Sequence, residues 1–406
     1  MFKEYIKENF DFVLFFSSML LVIIGLVSIY SATYSAGLGE VFEKQLLWVI
    51  FGFIALVFSF FLPIKYLELF AYPLYGLSLI LLASVPIIGQ TVYGSTSWIN
   101  FGFFKIQPSE FSKITTVIVL ALYLSNKNTK IEEIKYILIA FLIPFVPFVL
   151  IMLQPDFGTG TVYLFLFVFM IFWAGTKLFY IIAIISTVLA IASALIGTWS
   201  LFIIICLSIL VLYLIKENWS IIFSFSGFLL AVGFSFDYIY KGLALYQQKR
   251  ITSFLDPSKD PLGSGYNAIQ AKVAIGSGGL FGKGFMQGTQ TQLRFIPKQW
   301  TDFIFCVPGE EFGFIGSIIV LLLLFLVFTR ALKIAKLAKT KFESNIVIGF
   351  LAILFYHTII NIGMAINILP VMGLPLPFMS SGGSLLLSAM IMVGIMLNIY
   401  AHRKGY

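Results

Sequence analysis

Charge is what this 406-residue chain has least of: Asp, Glu, Lys and Arg make up 11% of it, where water-soluble domains carry roughly 25%. Hydrophobic residues make up 60% and the mean hydropathy is +1.01. No soluble fold hides that much apolar surface, because large exposed apolar patches drive association. Cysteine is almost missing too. Cys206 and Cys306 cannot define a disulfide framework, and both sit in or near apolar runs as small core residues. The two histidines, His357 and His402, have no metal-ligand spacing. Alternating ten-residue segments are lacking as well, which excludes an outer-membrane barrel. What is present is a series of continuous apolar runs, rich in Phe (45 residues) and Tyr (19). The fold class is all-α, a polytopic integral membrane protein.

A helix needs about 20 apolar residues to cross the hydrocarbon core. On that measure twelve spans are expected, starting near residues 12, 46, 70, 111, 136, 160, 178, 200, 219, 302, 346 and 383. The first, Phe12 to Tyr34, is too long for the apolar part of a signal peptide and is read as a retained helix. The stretch 1–11, with Phe2, Tyr5, Ile6 and Phe10 at helical spacing, reads as an interfacial anchor. Between the ninth and tenth spans lies a polar, Gly-rich stretch, 239–301, too long for a turn.

The Lys and Arg residues of the short loops set the orientation. With the N-terminus inside, fifteen of the 26 basic residues fall on the cytoplasmic side, among them Arg330, Lys333, Lys336, Lys339 and Lys341. Three (Lys44, Lys105, Lys113) fall outside, and eight lie in the long loop. Both termini are therefore expected in the cytoplasm and the long loop outside. The net charge of +8 is explained by topology, and no nucleic-acid partner is implied.

Four polar clusters fall at the outer face. In TSWINFGFFKIQPSEFSK (96–113), Glu110 and Lys113 lie one turn apart on one helix face. The plainer readings there are a helix start at Pro108 and a belt aromatic at Trp98. In QPDFGT (154–159) a polar turn at Asp156 is the favoured reading. In the long loop, Tyr266 to Ile275 is expected to form an amphipathic surface helix. The run GSGGLFGKG (276–284) fails the phosphate-loop pattern, with Ser277 at the first glycine and Gly284 after Lys283. At the loop's end Asp302 enters the tenth span, either as a helix-start carboxylate or as a functional one. Glu310 and Glu311 follow about 12 Å deeper along that helix, where a carboxylate is read by default as functional. The fourth cluster, NIGMAINILPVMGLPLPFMSSGGS (361–384), is uncharged, irregular backbone that suits a cavity floor or a re-entrant loop.

Together these clusters resemble the SEDS family (shape, elongation, division and sporulation). The residues that carry the resemblance are WINFGFFKIQPSEFSK, QPDFGT, FLDPSKDPLGSGYNAIQAKVAIGSGGLFGKG, TDFIF with GEEFGFIG, and the NIGM, PLPF and SGGS stretches, in fixed order along most of the chain. GTQTQLRFIP before TDFIF looks like the elongation members rather than the division ones. The resemblance implies a peptidoglycan glycosyltransferase joining lipid II to a growing undecaprenyl-pyrophosphate-linked glycan outside the membrane. It implies a class B penicillin-binding protein, a transpeptidase, as partner. The family's essential acid maps onto Asp302, its tryptophan onto Trp98 and its basic residue onto Lys113. In that chemistry Asp302 is the expected base, Lys113 holds it and Glu110 orients Lys113. Arg250, Lys272 or a divalent cation faces the pyrophosphate.

The chain departs from the family pattern in three ways. Thr96 and Ser97 stand where arginines are usual, and Trp300 precedes the TDF motif where His is frequent. Twelve spans exceed the family's ten, the surplus being a helix pair within 200–238. The chief rival reading is a lipid II flippase with Glu310 and Glu311 as coupling sites. A non-catalytic scaffold for the transpeptidase is a third.

Overall fold

The computed structural model describes residues 9–34, 37–92, 95–100, 102, 104–242, 248, 264–297 and 299–403. Twelve helices of 16 to 25 residues account for most of the described chain, eleven of them within several residues of an expected start. They are α1 (Phe12–Tyr34), α2 (Gly39–Phe61), α3 (Ala71–Ile88), α4 (Pro108–Ser125), α5 (Ile134–Met152), α6 (Phe157–Trp173), α7 (Leu178–Ile196), α8 (Thr198–Leu214) and α9 (Trp219–Phe234), then α11 (Gly313–Leu337), α12 (Lys341–Ala365) and α13 (Gly383–Ala401). The shorter α10 (Ser264–Ser277) lies in the long stretch between α9 and α11 and contains the segment expected to be amphipathic. The interfacial anchor 1–11 falls largely outside the described residues.

Seven of the helices are long and apolar enough to cross a membrane, and four others are apolar but shorter. Their enclosure differs sharply. In α12 and α13, 78% of the central window is buried, against 22% in α2 and α3. The last two helices therefore form the protein's centre and the early ones face lipid. α12 packs against α4, α6 and α11, and α13 runs along α2. Close approach is needed there: a Cβ on Gly394 of α13 would lie 2.1 Å from Ser59 Oγ and 2.4 Å from the Leu56 carbonyl of α2. At the end of α11 that carries the basic run, Asp11 caps α1 through the Leu14 N–H (3.0 Å) and accepts the Arg330 guanidinium (Nε to Oδ2, 2.9 Å). The pair ties the first helix to α11.

The surplus pair, expected within 200–238, is α8 and α9. It packs on α7 and on itself around a separate small core of Ala190, Leu201, Ile205 and Leu229. A small three-stranded antiparallel sheet is an addition to the helical expectation: β1 (Gln90–Val92), β2 (Ser95–Asn100) and β3 (Lys105–Ile106). Its strands are too short and too polar to show as periodicity in a helical context.

The tenth span differs from expectation. No helix starts at Asp302; residues 299–305 form turns, a six-residue helix covers Cys306–Glu311, and α11 begins only at Gly313. Gly313 (φ +64°) makes the break, and a Cβ there would lie 2.4 Å from the Gly282 nitrogen. Only glycine accommodates both that backbone region and that approach. Glu310 and Glu311 thus precede the span instead of lying within it. The long loop closes over the break, with Lys283 N–H and Gly284 N–H donating to the carbonyls of Glu310 and Glu311 (both 3.0 Å) and Phe314 N–H donating to that of Gly279 (2.8 Å).

Candidate functional site

The site is built from both ends of the chain. β2 holds Trp98, partly buried, opposite Gln90, and Ile99 opposite Ile106 of β3. The chain then turns at Gln107, and Pro108 opens α4 at a position where its missing N–H costs nothing. Gln107 N–H donates to Ser384 Oγ of α13 (3.0 Å) and its amide to Asp156 Oδ2 (3.3 Å), so the QPSE and QPDF clusters meet in space. Asp156 is the cap of α6, accepting from Thr159 N–H at 3.2 Å. The polar-turn reading of that residue is the one observed.

One turn into α4, Lys113 Nζ donates to Glu110 Oε1 at 2.8 Å. The side chains are 0% and 3% exposed, so this ion pair is fully internal. The second Glu110 oxygen accepts from Ser388 Oγ of α13 (3.2 Å). Lys113 Nζ also lies 2.9 Å from Nε2 of His357 on α12, a residue whose sequence spacing gave it no role. Glu110 and His357 account for two of the three donors of the ammonium.

Asp302 lies in the turns before the short helix, partly buried and engaged in interactions of its own. Its backbone is fixed from below. Asn361 Nδ2 donates both to the Asp302 carbonyl and to the Leu374 carbonyl (2.8 Å each). Ser380 Oγ donates to the Thr301 carbonyl (2.6 Å), and Ser381 N–H to that of Trp300 (2.8 Å). A Cβ on Gly373 would sit 3.7 Å from Asp302 Oδ2, so the carboxylate rests beside the irregular segment between α12 and α13. Lys113 and Asp302, expected to pair directly, are linked through His357, Asn361 and the Leu374–Pro375 backbone.

The remaining expected residues divide. Lys272 is exposed on α10, whose Ala268, Ala271 and Ala274 face inward. Arg250 falls outside the described residues. Among the described residues no three or more His, Cys, Asp or Glu side chains converge. Residues missed from the sequence are His357, Asn361, Ser380 and Ser388. A signal for the first two exists: they are a His and an Asn four apart on an otherwise apolar helix, hence on one face.

Glu310 is committed to the loop above it. Its oxygens accept from Lys283 Nζ (2.7 Å), Gln290 N–H (2.8 Å) and Thr291 N–H (2.9 Å). Burial alone would raise this carboxyl, but Lys283 and the two backbone donors outweigh burial and hold it below the ordinary carboxylate value. Glu311 goes the other way: burial raises it, although Ser31 and Gln292 donate to it. The carboxylates that looked like coupling sites from their depth fasten the long loop to the start of α11 and to α1.

Comparison with known proteins follows from this geometry. The sequence profile of the cell cycle protein family FtsW/RodA/SpoVE matches residues 11–200 and 187–405. The chain is 34% identical to the peptidoglycan glycosyltransferase MrdB of Escherichia coli K12, over 95% of this chain and 94% of that protein. It is 33% identical to the peptidoglycan glycosyltransferase RodA of Treponema pallidum, over 98% of each. Among solved structures, one chain of a peptidoglycan synthase complex, described as coordinating polymerization and crosslinking, is similar at a TM-score of 0.74. Its identity is 27%, over 98% of this chain and 99% of that one. The rod shape determining protein RodA of Thermus thermophilus shares the fold, with a TM-score of 0.64 at 24% identity.

The Glu310 site predicts an acid dependence. Its folded value lies below its unfolded one, so its stabilisation is complete above the ordinary carboxyl value of about 4.3 and fades as pH falls through the lower folded value. Glu310→Gln should therefore be less stable than the parent at neutral pH, and the difference should shrink at strongly acid pH. Thermal unfolding in detergent across that range measures it; a difference that stays constant with pH contradicts the assignment.

Proposed function

Because the chain belongs to the SEDS family of FtsW, RodA and SpoVE cell cycle proteins, we propose that it is a peptidoglycan glycosyltransferase that polymerises lipid II into glycan strands for cell elongation and rod shape. The observation that carries this reading is the convergence of Asp302 and the buried Glu110–Lys113 pair on one backbone segment, 373–375, in a chain that aligns over nearly its full length with relatives named for this activity.

In the reaction the acceptor sugar hydroxyl of lipid II attacks the anomeric carbon of the donor glycan. The carbon–oxygen bond to undecaprenyl pyrophosphate breaks, and the configuration inverts. Asp302 is the base that takes the hydroxyl proton, and the bond electrons leave with the pyrophosphate. The fixed backbone around Asp302 suits that role, since a base works only within hydrogen-bond reach of its proton. Lys113, buried and already oriented by Glu110, supplies positive potential at the developing charge without reorganising. Lys272, on the exposed side of α10, is the described cation available to the leaving pyrophosphate. Trp98, on the sheet at the mouth of α4, lines the approach for the glycan.

The class of partner is a transpeptidase of the class B penicillin-binding type, a reading supported by the similarity to one chain of a synthase complex that couples polymerization to crosslinking. We put the protein in the bacterial cytoplasmic membrane with both termini inside and the site on the outer face, a reading supported by the basic residues that cluster at the end of α11 and in the short loops on the same side. A transporter would need a site reached from both sides. Here Glu310, one of the carboxylates proposed for coupling, is committed to holding a loop.

Purified protein with its transpeptidase and lipid II, with no membrane gradient, should form glycan strands. Asp302→Ala should lower that rate by about a hundredfold or more while the complex still assembles. A gradient-dependent movement of lipid II with no polymer would favour the transporter, and full activity in Asp302→Ala would remove the base. For orientation, Gln287→Cys should react with a membrane-impermeant maleimide in intact cells and Lys336→Cys only after permeabilisation; the reverse pattern overturns the sidedness.

A further inference from the structure

His357 is a buried titratable side chain at the site that sequence reasoning gave no part. It is fully buried on α12, and both ring nitrogens are used by groups from other parts of the chain. Nδ1 lies 3.1 Å from the Pro375 carbonyl oxygen and Nε2 lies 2.9 Å from Lys113 Nζ. A carbonyl oxygen only accepts, so Nδ1 carries the proton. With Nδ1 protonated, a neutral ring has its lone pair at Nε2, where the ammonium donates. A second proton on the ring would place two cations in contact without water. The hydrogen-bond pattern therefore assigns the neutral Nδ1–H tautomer.

The consequence is mechanical. Leu374, Pro375 and Leu376 are gripped in succession: Asn361 donates to the Leu374 carbonyl, His357 to that of Pro375, and Leu376 N–H to Ser380 Oγ. Asn361 and Ser380 are the same side chains that hold the Asp302 and Thr301 carbonyls. His357 is thus where the clamp on Asp302 and the socket of Lys113 join. A packing histidine needs neither contact, and a lysine held by Glu110 alone would pivot about that single ion pair.

We propose that His357 is a positioning residue for the glycosyl transfer, its neutral imidazole setting the place of Lys113 Nζ relative to Asp302. This rests on the proposed glycosyltransferase reading, with Asp302 and Lys113 as its machinery. It adds a third side chain that touches no reacting atom and acts through the lysine.

The two ends of the imidazole can be separated by substitution. Glutamine can place an acceptor oxygen near the position of Nε2, whereas asparagine can place a donor nitrogen near that of Nδ1. In the full-length protein with its transpeptidase, polymerising purified lipid II, His357→Leu should lower kcat by about tenfold or more with KM for lipid II changed by less than about twofold. His357→Gln should recover kcat to within about threefold of the parent, because Lys113 regains its acceptor. His357→Asn should remain low, although it keeps the Pro375 contact. Melting temperatures separate the positioning role from a folding one. If Leu, Gln and Asn lose activity equally and in step with melting temperature, His357 is only structural and the proposal is overturned. Parent-like kcat in His357→Leu overturns it too. Failure of the parent complex itself to polymerise lipid II would sink the glycosyltransferase reading, an outcome read from a different sample.

Discussion

An ammonium group with none of its side chain exposed, inside an apolar helix bundle, is the constraint around which the structure is arranged. An unpaired charge there would cost several kcal/mol, so Lys113 must arrive with its partners already in place. One turn of α4 supplies Glu110, α12 supplies His357, and α13 satisfies the second Glu110 oxygen through Ser388. Three helices from opposite ends of the sequence have to pack closely for this. α12 and α13 are accordingly the most enclosed of the long apolar helices, and glycines such as Gly394 let backbones meet. Losing one partner of such a pair strands the other, a change of about 3–5 kcal/mol.

Part of this arrangement was legible from composition and spacing. Scarce charge and long apolar runs implied the twelve helices, and the three-residue interval from Glu110 to Lys113 implied a shared face. Asp302 stood out as a carboxylate at the end of a polar stretch. The rest depended on contacts distant in sequence. His357 meets Lys113 across 244 positions and Ser388 meets Glu110 across 278, separations that no local pattern reports. The start of the tenth span was misplaced for a different reason. Residues 302–311 are apolar enough to continue a helix, and the break is made by Gly313 at positive φ beneath the folded-over loop. Glu310 looked functional because depth makes charge expensive. The same cost is met by Lys283 and two backbone N–H groups, which become neighbours only once the loop has closed.

The division of labour between the acidic groups follows. Glu310 and Glu311 fasten the long loop, Glu110 holds a cation, Asp156 caps a helix and Asp302 stands at the edge of the irregular segment. Glu310, Glu110 and Asp156 are each engaged in structural contacts, whereas Glu311 keeps one buried oxygen, Oε2, without a hydrogen-bond partner. In the proposed mechanism Asp302 is the chemical member of the group, its own carbonyl fixed by Asn361 and that of Thr301 by Ser380. The surplus pair α8–α9 is attached through α7 and has its own small core, so it adds to the bundle without altering the site.

The claim that the buried ion pair exists for chemistry is tested most directly by removing both of its charges at once. Glu110→Gln combined with Lys113→Met leaves neutral side chains of similar size, and replacing a buried pair in this way is often neutral or stabilising. The account predicts a doubly substituted protein that melts at or above the parent temperature, still binds its transpeptidase and forms no glycan strands from purified lipid II. A double variant that polymerises lipid II at the parent rate would contradict it.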